Sequence, residues 1–136
     1  MKKIKRLIMT IFAVSFIVIG LNLFTKGIPL LGIPEIGKIN RVVIEHKDYP
    51  DECKTYSDEE NIELAVALLG YLRYSPLKGL SDDNQLIKIT YIMDDGTEQV
   101  VAANNYTVWW NGKPSALHDE NTFVKMCTAV FFASNE

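Results

Sequence analysis

Cysteine and histidine are scarce: the 136 residues hold two of each, Cys53 and Cys127, His46 and His118. Two cysteines cannot make a multi-bridge scaffold. No HExxH, EF-hand, serine-elbow or phosphate-loop pattern occurs, so the ligand and nucleophile spacings behind those chemistries are missing. Acidic residues are absent from the first 26 positions, which carry five basic ones. The remaining 110 carry nine basic and seventeen acidic, so a head of +5 precedes a body of −8. Recognition of a phosphate backbone needs clustered Lys and Arg. The body has no such cluster, and no nucleic-acid partner is expected.

What the head does contain is a long uncharged stretch. Lys2, Lys3, Lys5 and Arg6 precede the apolar run Leu7 to Phe24, broken only by Thr10, Ser15, Gly20 and Asn22. As a helix it would be roughly 27 Å long, close to a bilayer's hydrocarbon thickness. A cleaved signal would have a shorter run followed by a small-x-small site, whereas this run is followed by Thr25-Lys26. The expectation is an uncleaved signal anchor in residues 1–26, its basic end cytoplasmic and the rest of the chain outside. Cleavage, the alternative, would give a secreted domain. Residues 27–37, with Gly27, Pro29, Gly32, Pro34 and Gly37, read as a spacer whose Ile28, Leu30, Leu31 and Ile33 lie at the membrane interface or pack on the domain.

Residues 38–136 carry the periodicities of an α+β domain. Ile39 to His46 (INRVVIEH) is β-branched and reads as a strand, and Asp48 to Tyr56 as a loop. Ser57-Asp58-Glu59-Glu60 has the form of a capping box with Ser57 as the cap. Beyond it Ile62, Ala65, Val66, Leu69 and Leu72 form a helical stripe, widened by Leu64, Leu68 and Tyr71. Such width suits a helix between sheet and a second layer, or one that meets a partner. Ser75-Pro76, Gly79 and Ser81-Asp82-Asp83-Asn84 mark loops. Leu86 to Met93 (LIKITYIM) is a strand, Asp94-Asp95-Gly96-Thr97 a hairpin turn and Glu98 to Ala103 the return strand. Asn104-Asn105, strand Tyr106 to Trp110, Asn111-Gly112 and a short edge strand Lys113 to Leu117, limited by Pro114, follow. A last helix starting near Asp119 places Phe123, Met126, Cys127, Val130 and Phe131 on one face. The predicted fold is α+β: a transmembrane helix, then β-α-β-β-β-(β)-α, an antiparallel meander with helices on one face.

Few residues remain for chemistry. Outside the cytoplasm Cys53 and Cys127 could pair, closing a loop of about 75 residues and adding on the order of 4 kcal/mol. Otherwise Cys127 is a buried free thiol on its helix stripe and Cys53 stands apart. Neither cysteine has a recognisable spacing to His46 or His118, as a catalytic thiol would require. Asp94-Asp95 is accounted for by a turn and Asp58, Glu59 and Glu60 by a helix start, so no metal or other cofactor is expected. Tyr106, Trp109 and Trp110 are the candidate partner-binding group. Adjacent strand residues face opposite ways, so one tryptophan belongs to the core and the other to the solvent side near Tyr106.

The Pro34-Glu35-Ile36 lead-in, the capped helix, the YIMDDGTEQVV hairpin, the VWWNGK turn and the closing helix together resemble small domains of unknown function in membrane-tethered or secreted proteins of Gram-positive bacteria. The resemblance spans about residues 34–132. It implies location and fold and carries over no catalytic or binding residue. The function expected is a membrane-anchored extracytoplasmic binding module, not an enzyme, for an unknown protein, peptide or envelope component. The alternatives are a small extracytoplasmic hydrolase or thiol-dependent enzyme, or a structural accessory subunit of an envelope complex.

Overall fold

The basic, apolar head forms one helix, α1 (Lys2–Lys26), in a computed structural model that describes residues 1–76, 78–80 and 83–132, and of residues 23–25 the backbone alone. Ser81 and Asp82 of the expected loop, and the last four residues, lie outside the described residues. The span Lys2–Asn22 is long and apolar enough to cross a membrane and buries none of that surface on the rest of the chain. With apolar side chains on every side, it has no polar face to offer water.

The stretch read as a spacer packs on the domain, one of the two placements expected for its apolar residues. Gly27 ends α1 at φ +79°. Ile28–Pro29 (β1) then pairs antiparallel with Arg73–Tyr74 (β4). Leu30 and Pro34 are buried, and the Leu31 carbonyl accepts from the indole N–H of Trp110 at 3.1 Å. Prolines and glycines here shape a strap, because apolar residues between them find a surface to cover.

The main sheet has six antiparallel strands in the order β3-β2-β5-β6-β7-β8: β2 (Ile39–His46), β3 (Lys54–Tyr56), β5 (Ile87–Met93), β6 (Glu98–Ala103), β7 (Thr107–Trp110) and β8 (Lys113–Ala116). Its turns follow the expected chemistry. Asn111 and Gly112 both take positive φ, 49° and 85°, the pair a tight two-residue hairpin requires. Asp95 accepts from both the backbone and the hydroxyl of Thr97, at 2.9 and 2.6 Å. β8 joins the small β1-β4 ladder through a Tyr74–Leu117 bridge and a 2.7 Å bond from Ser75 N–H to the Ala116 carbonyl.

One sheet face carries Val42, Ile44, Ile87, Ile89, Tyr91, Val101, Ala103 and Val108, packed on Ile62, Ala65, Leu68, Leu69 and Leu72 of α2 (Glu59–Gly70) and on Phe123, Val124 and Cys127 of α3 (Thr122–Cys127). No helix covers the opposite face among the described residues. The α+β class with helices on one face is therefore as expected.

Several details differ. Asp48–Tyr56 is not all loop: β3 pairs Tyr56 with Val42 and Lys54 with Ile44, and the Tyr56 ring lies 5.5 Å from that of Phe131. The cap of α2 is Asp58 rather than Ser57, its carboxylate accepting from the Asn61 backbone at 3.0 Å and side chain at 2.8 Å. The helix starts one residue later than foreseen, so the N3 amide is that of Asn61, and both Asn61 bonds donate to the Asp58 carboxylate. α3 starts at Thr122, after Asn121 at φ 67°, and its last turn, Thr128–Phe132, widens to a π-helix. The larger turn carries the core-facing stripe from Cys127 to Phe131 and Phe132 and leaves Val130, assigned to the core by α-helical spacing, 45% exposed.

Candidate functional site

Strand β2 ends in His46 at one end of the sheet, beside the start of β5 and the β6–β7 turn. Around it three cavities adjoin. The first, about 340 Å³, is lined by residues that include Lys47, Tyr49, Pro50, Cys53 and Leu86. The second, about 600 Å³, shares His46, Tyr49 and Leu86 with it and extends to Asn105, Lys125, Thr128 and Phe132. The third, about 200 Å³, shares Leu86 and Asn105 and ends at Tyr106. Sharing these residues, the three adjoin as a groove that bends around the sheet's end, the first on the side of the exposed Glu45 and Lys88 and the second on the side of Lys125 and Thr128.

Aromatic packing shapes its floor. Tyr49 stacks on Phe132 with ring centroids 5.4 Å apart, and the His46 ring stands edge-on to both at 5.0 and 5.2 Å. Both His46 nitrogens are engaged. Nδ1 accepts from the Asp48 backbone N–H at 3.1 Å, which assigns the ring proton to Nε2. Nε2–H then donates to the Thr128 hydroxyl at 3.0 Å, and that hydroxyl donates to the Val124 carbonyl at 2.7 Å. This chain ties β2 to the π-helical turn and leaves His46 no lone pair for a substrate proton. At the far end Asn104, buried, holds the turn: its Oδ1 accepts from the amides of Tyr106 and Thr107 at 2.9 and 2.7 Å, and its Nδ2 donates to the Asn84 carbonyl at 3.0 Å. Lys47 reaches the side chain of Asn84 along the rim.

Of the three aromatics singled out in the sequence, only Tyr106 lies in this groove, 49% exposed. The tryptophans part as strand geometry requires. Trp110 shares the helix side with Val101 and packs on the core. Trp109 lies on the helix-free side opposite Ala102 and Pro114, yet is only 8% exposed. The solvent-side tryptophan expected beside Tyr106 is thus covered rather than exposed. The groove's own residues come from three separate segments, His46 with Tyr49, Leu86, and Phe132, and no local spacing links the three.

Cys53 and Cys127 are both free thiols, Cys53 exposed at the groove and Cys127 buried. Burial pushes the Cys127 thiol up to about 12, so it stays protonated and packs as a small apolar side chain. Burial, and in alkali the Cys127 thiolate beside it, push the Tyr91 phenol well up too. His118 lies away from the groove with Nδ1 buried and unpartnered among the described residues. Asp58 and Asp95 are held below the usual carboxylate range by the amide of Asn61 and the hydroxyl of Thr97, respectively. Among the described residues, no three His, Cys, Asp or Glu side chains come together as a metal site would need. Compared with models of known families, with curated proteins and with solved structures, the chain finds no match.

Proposed function

We propose that this chain is a membrane-anchored extracytoplasmic binding module, non-enzymatic, whose domain receives a segment of a partner protein or peptide along the groove at the His46 end of the sheet. The observation that carries this reading is the groove itself: three adjoining lobes that share Leu86, with Tyr49 and Phe132 among their walls and Tyr106 at the last. An apolar floor between polar rims suits a chain segment that buries some side chains and leaves others wet. The groove's one imidazole is committed at both nitrogens to its walls, which favours holding over proton transfer. The anchor reading is supported by the length and apolarity of α1, and its orientation by Lys2, Lys3, Lys5 and Arg6 before the apolar run, a basic flank that favours the cytoplasmic side.

Site-directed photocrosslinking in the full-length protein tests the reading. A photoreactive residue at Tyr106 and another at Lys125 should trap an adduct of the same mass in native membranes, and one at Lys113 on the far hairpin should trap none. No adduct from either groove position, or equal trapping at all three, would refute it.

A further inference from the structure

The joint between α1 and the domain brings together more cationic chemistry than the acidic body has elsewhere. Lys26 ends α1. A methyl group placed on the next residue, Gly27, would lie 2.8 Å from the Cβ of His118 and 2.9 Å from that of Arg73, so these two residues grip the chain as it leaves the helix. Lys78 reaches the same place, its ammonium donating to the carbonyls of His118 at 3.2 Å and Leu117 at 3.4 Å. Tyr71, 67% exposed, stands two residues before Arg73. Asp119 and Glu120 follow His118 and are exposed. Among the described residues no ion pair joins either to Lys26, Arg73 or Lys78.

The position of this cluster along the membrane normal follows from chain length. The apolar run ends at Phe24, and the helix continues to Lys26. Three residues at helical rise set Gly27 about 4.5 Å beyond the hydrocarbon edge. The headgroup layer is of similar depth on each side of a bilayer, and a charge within a Debye length, about 8 Å in physiological salt, feels the surface. Arg73 and His118, in contact with Gly27, share that layer. Tyr71, exposed two residues before Arg73, has the ring and hydroxyl that membrane interfaces favour.

We infer that Lys26, Arg73 and Lys78, with Tyr71, form a collar that docks the domain on anionic phospholipid headgroups around the emerging helix. The inference rests on the anchor reading above. It gives the strap Ile28–Pro34 a purpose: sewing the chain into the domain immediately after α1 keeps the collar at the surface, where a free spacer would let an acidic domain drift from a negatively charged bilayer.

The test uses the full chain reconstituted into phosphatidylcholine vesicles with and without 30% (roughly one lipid in three) phosphatidylglycerol, read by amide hydrogen exchange. Exchange across residues 71–76 and 117–120 should slow on the order of fivefold in the anionic vesicles, the factor one surface-apposed Lys or Arg supplies. The difference should vanish in about 1 M salt, where the Debye length falls to roughly 3 Å. It should vanish also in an R73Q/K78Q variant. The salt arm needs no variant, so a misfolded double mutant does not spoil the test. Equal exchange in both lipids, with α1 protected and resistant to alkaline extraction, overturns the collar and leaves the anchor standing. Release of the chain by alkaline carbonate overturns the anchor and the collar with it.

Discussion

The hydroxyl of Tyr91, fully buried at the centre of β5, donates to the carbonyl of Ala65 in the middle of α2 at 2.6 Å. This one bond fixes how the helix lies on the sheet, since an apolar contact could slide and a buried phenol cannot go unpartnered at low cost. Replacing Tyr91 by Phe keeps the ring and loses the bond. The expected cost is about 1 kcal/mol, or a fall in Tm of about 4–8 °C for a domain of this size. Thermal unfolding of the full chain in detergent checks it, and an unchanged Tm would mean that the bond has no net worth.

Alkali should destabilise the protein. Tyr91 and Cys127 both have folded pKa values raised by burial, that of Cys127 from 9.0 to about 12. A raised acid binds its proton more tightly folded than unfolded, so its contribution is complete below the unfolded value and declines as pH rises through the interval up to the folded one. Stability should therefore fall from about pH 9 towards pH 12, and Cys127→Ala should flatten that limb. Denaturant midpoints measured across the interval decide it; a wild-type limb already flat would contradict the burial of both groups.

At the acid end the sign reverses. Asp58 and Asp95 have lowered folded pKa values, from hydrogen bonds to Asn61 and to Thr97 respectively. Each stabilises above its unfolded pKa, and the contribution is lost as pH falls through the folded one. Asn also caps helices well and does not titrate. Asp58→Asn should thus leave neutral stability nearly unchanged and weaken the pH dependence of unfolding below about pH 4, where unfolded Asp titrates.

Thiol counting separates the two cysteines. Native, unreduced protein should show one thiol to an aqueous reagent, that of exposed Cys53, and denatured protein two. Finding none in either state would establish a bridge.

Trp110→Phe removes the indole donor to Leu31. Amide exchange in residues 28–34 should accelerate, and stability should fall by about 1 kcal/mol. Trp109→Phe, on the other face of the sheet, should leave exchange in that strap unaltered. Equal acceleration in both would show that the strap is not held by Trp110.

Elements with strong local signals were legible in the chain. Alternation in LIKITYIM, the Asp95-Gly96 and Asn111-Gly112 turns and the α2 stripe each report a conformation set by nearest neighbours. The groove was not legible, because His46, Leu86, Asn105 and Phe132 are brought together by strand order and by a π-helical turn that no local pattern announces. Between the two placements open to the spacer's apolar residues the sequence did not choose, for a related reason. Pro and Gly reveal that Gly27–Gly37 cannot be a regular helix, but not that Arg73, His118 and Trp110 wait on the domain to hold it.

By itself, then, the sequence determined the uncharged run after Lys2–Arg6, the change from +5 to −8, and the α+β order of elements, since charge, hydropathy and turn chemistry are properties of adjacent residues. Only the tertiary structure decided that Trp109 and Trp110 are both covered, that Tyr106 alone of the three opens into a groove, and that α1 runs directly into a gripped joint at Gly27. Those outcomes depend on which distant surfaces meet, and apolar burial, being non-directional, leaves that choice to the whole fold.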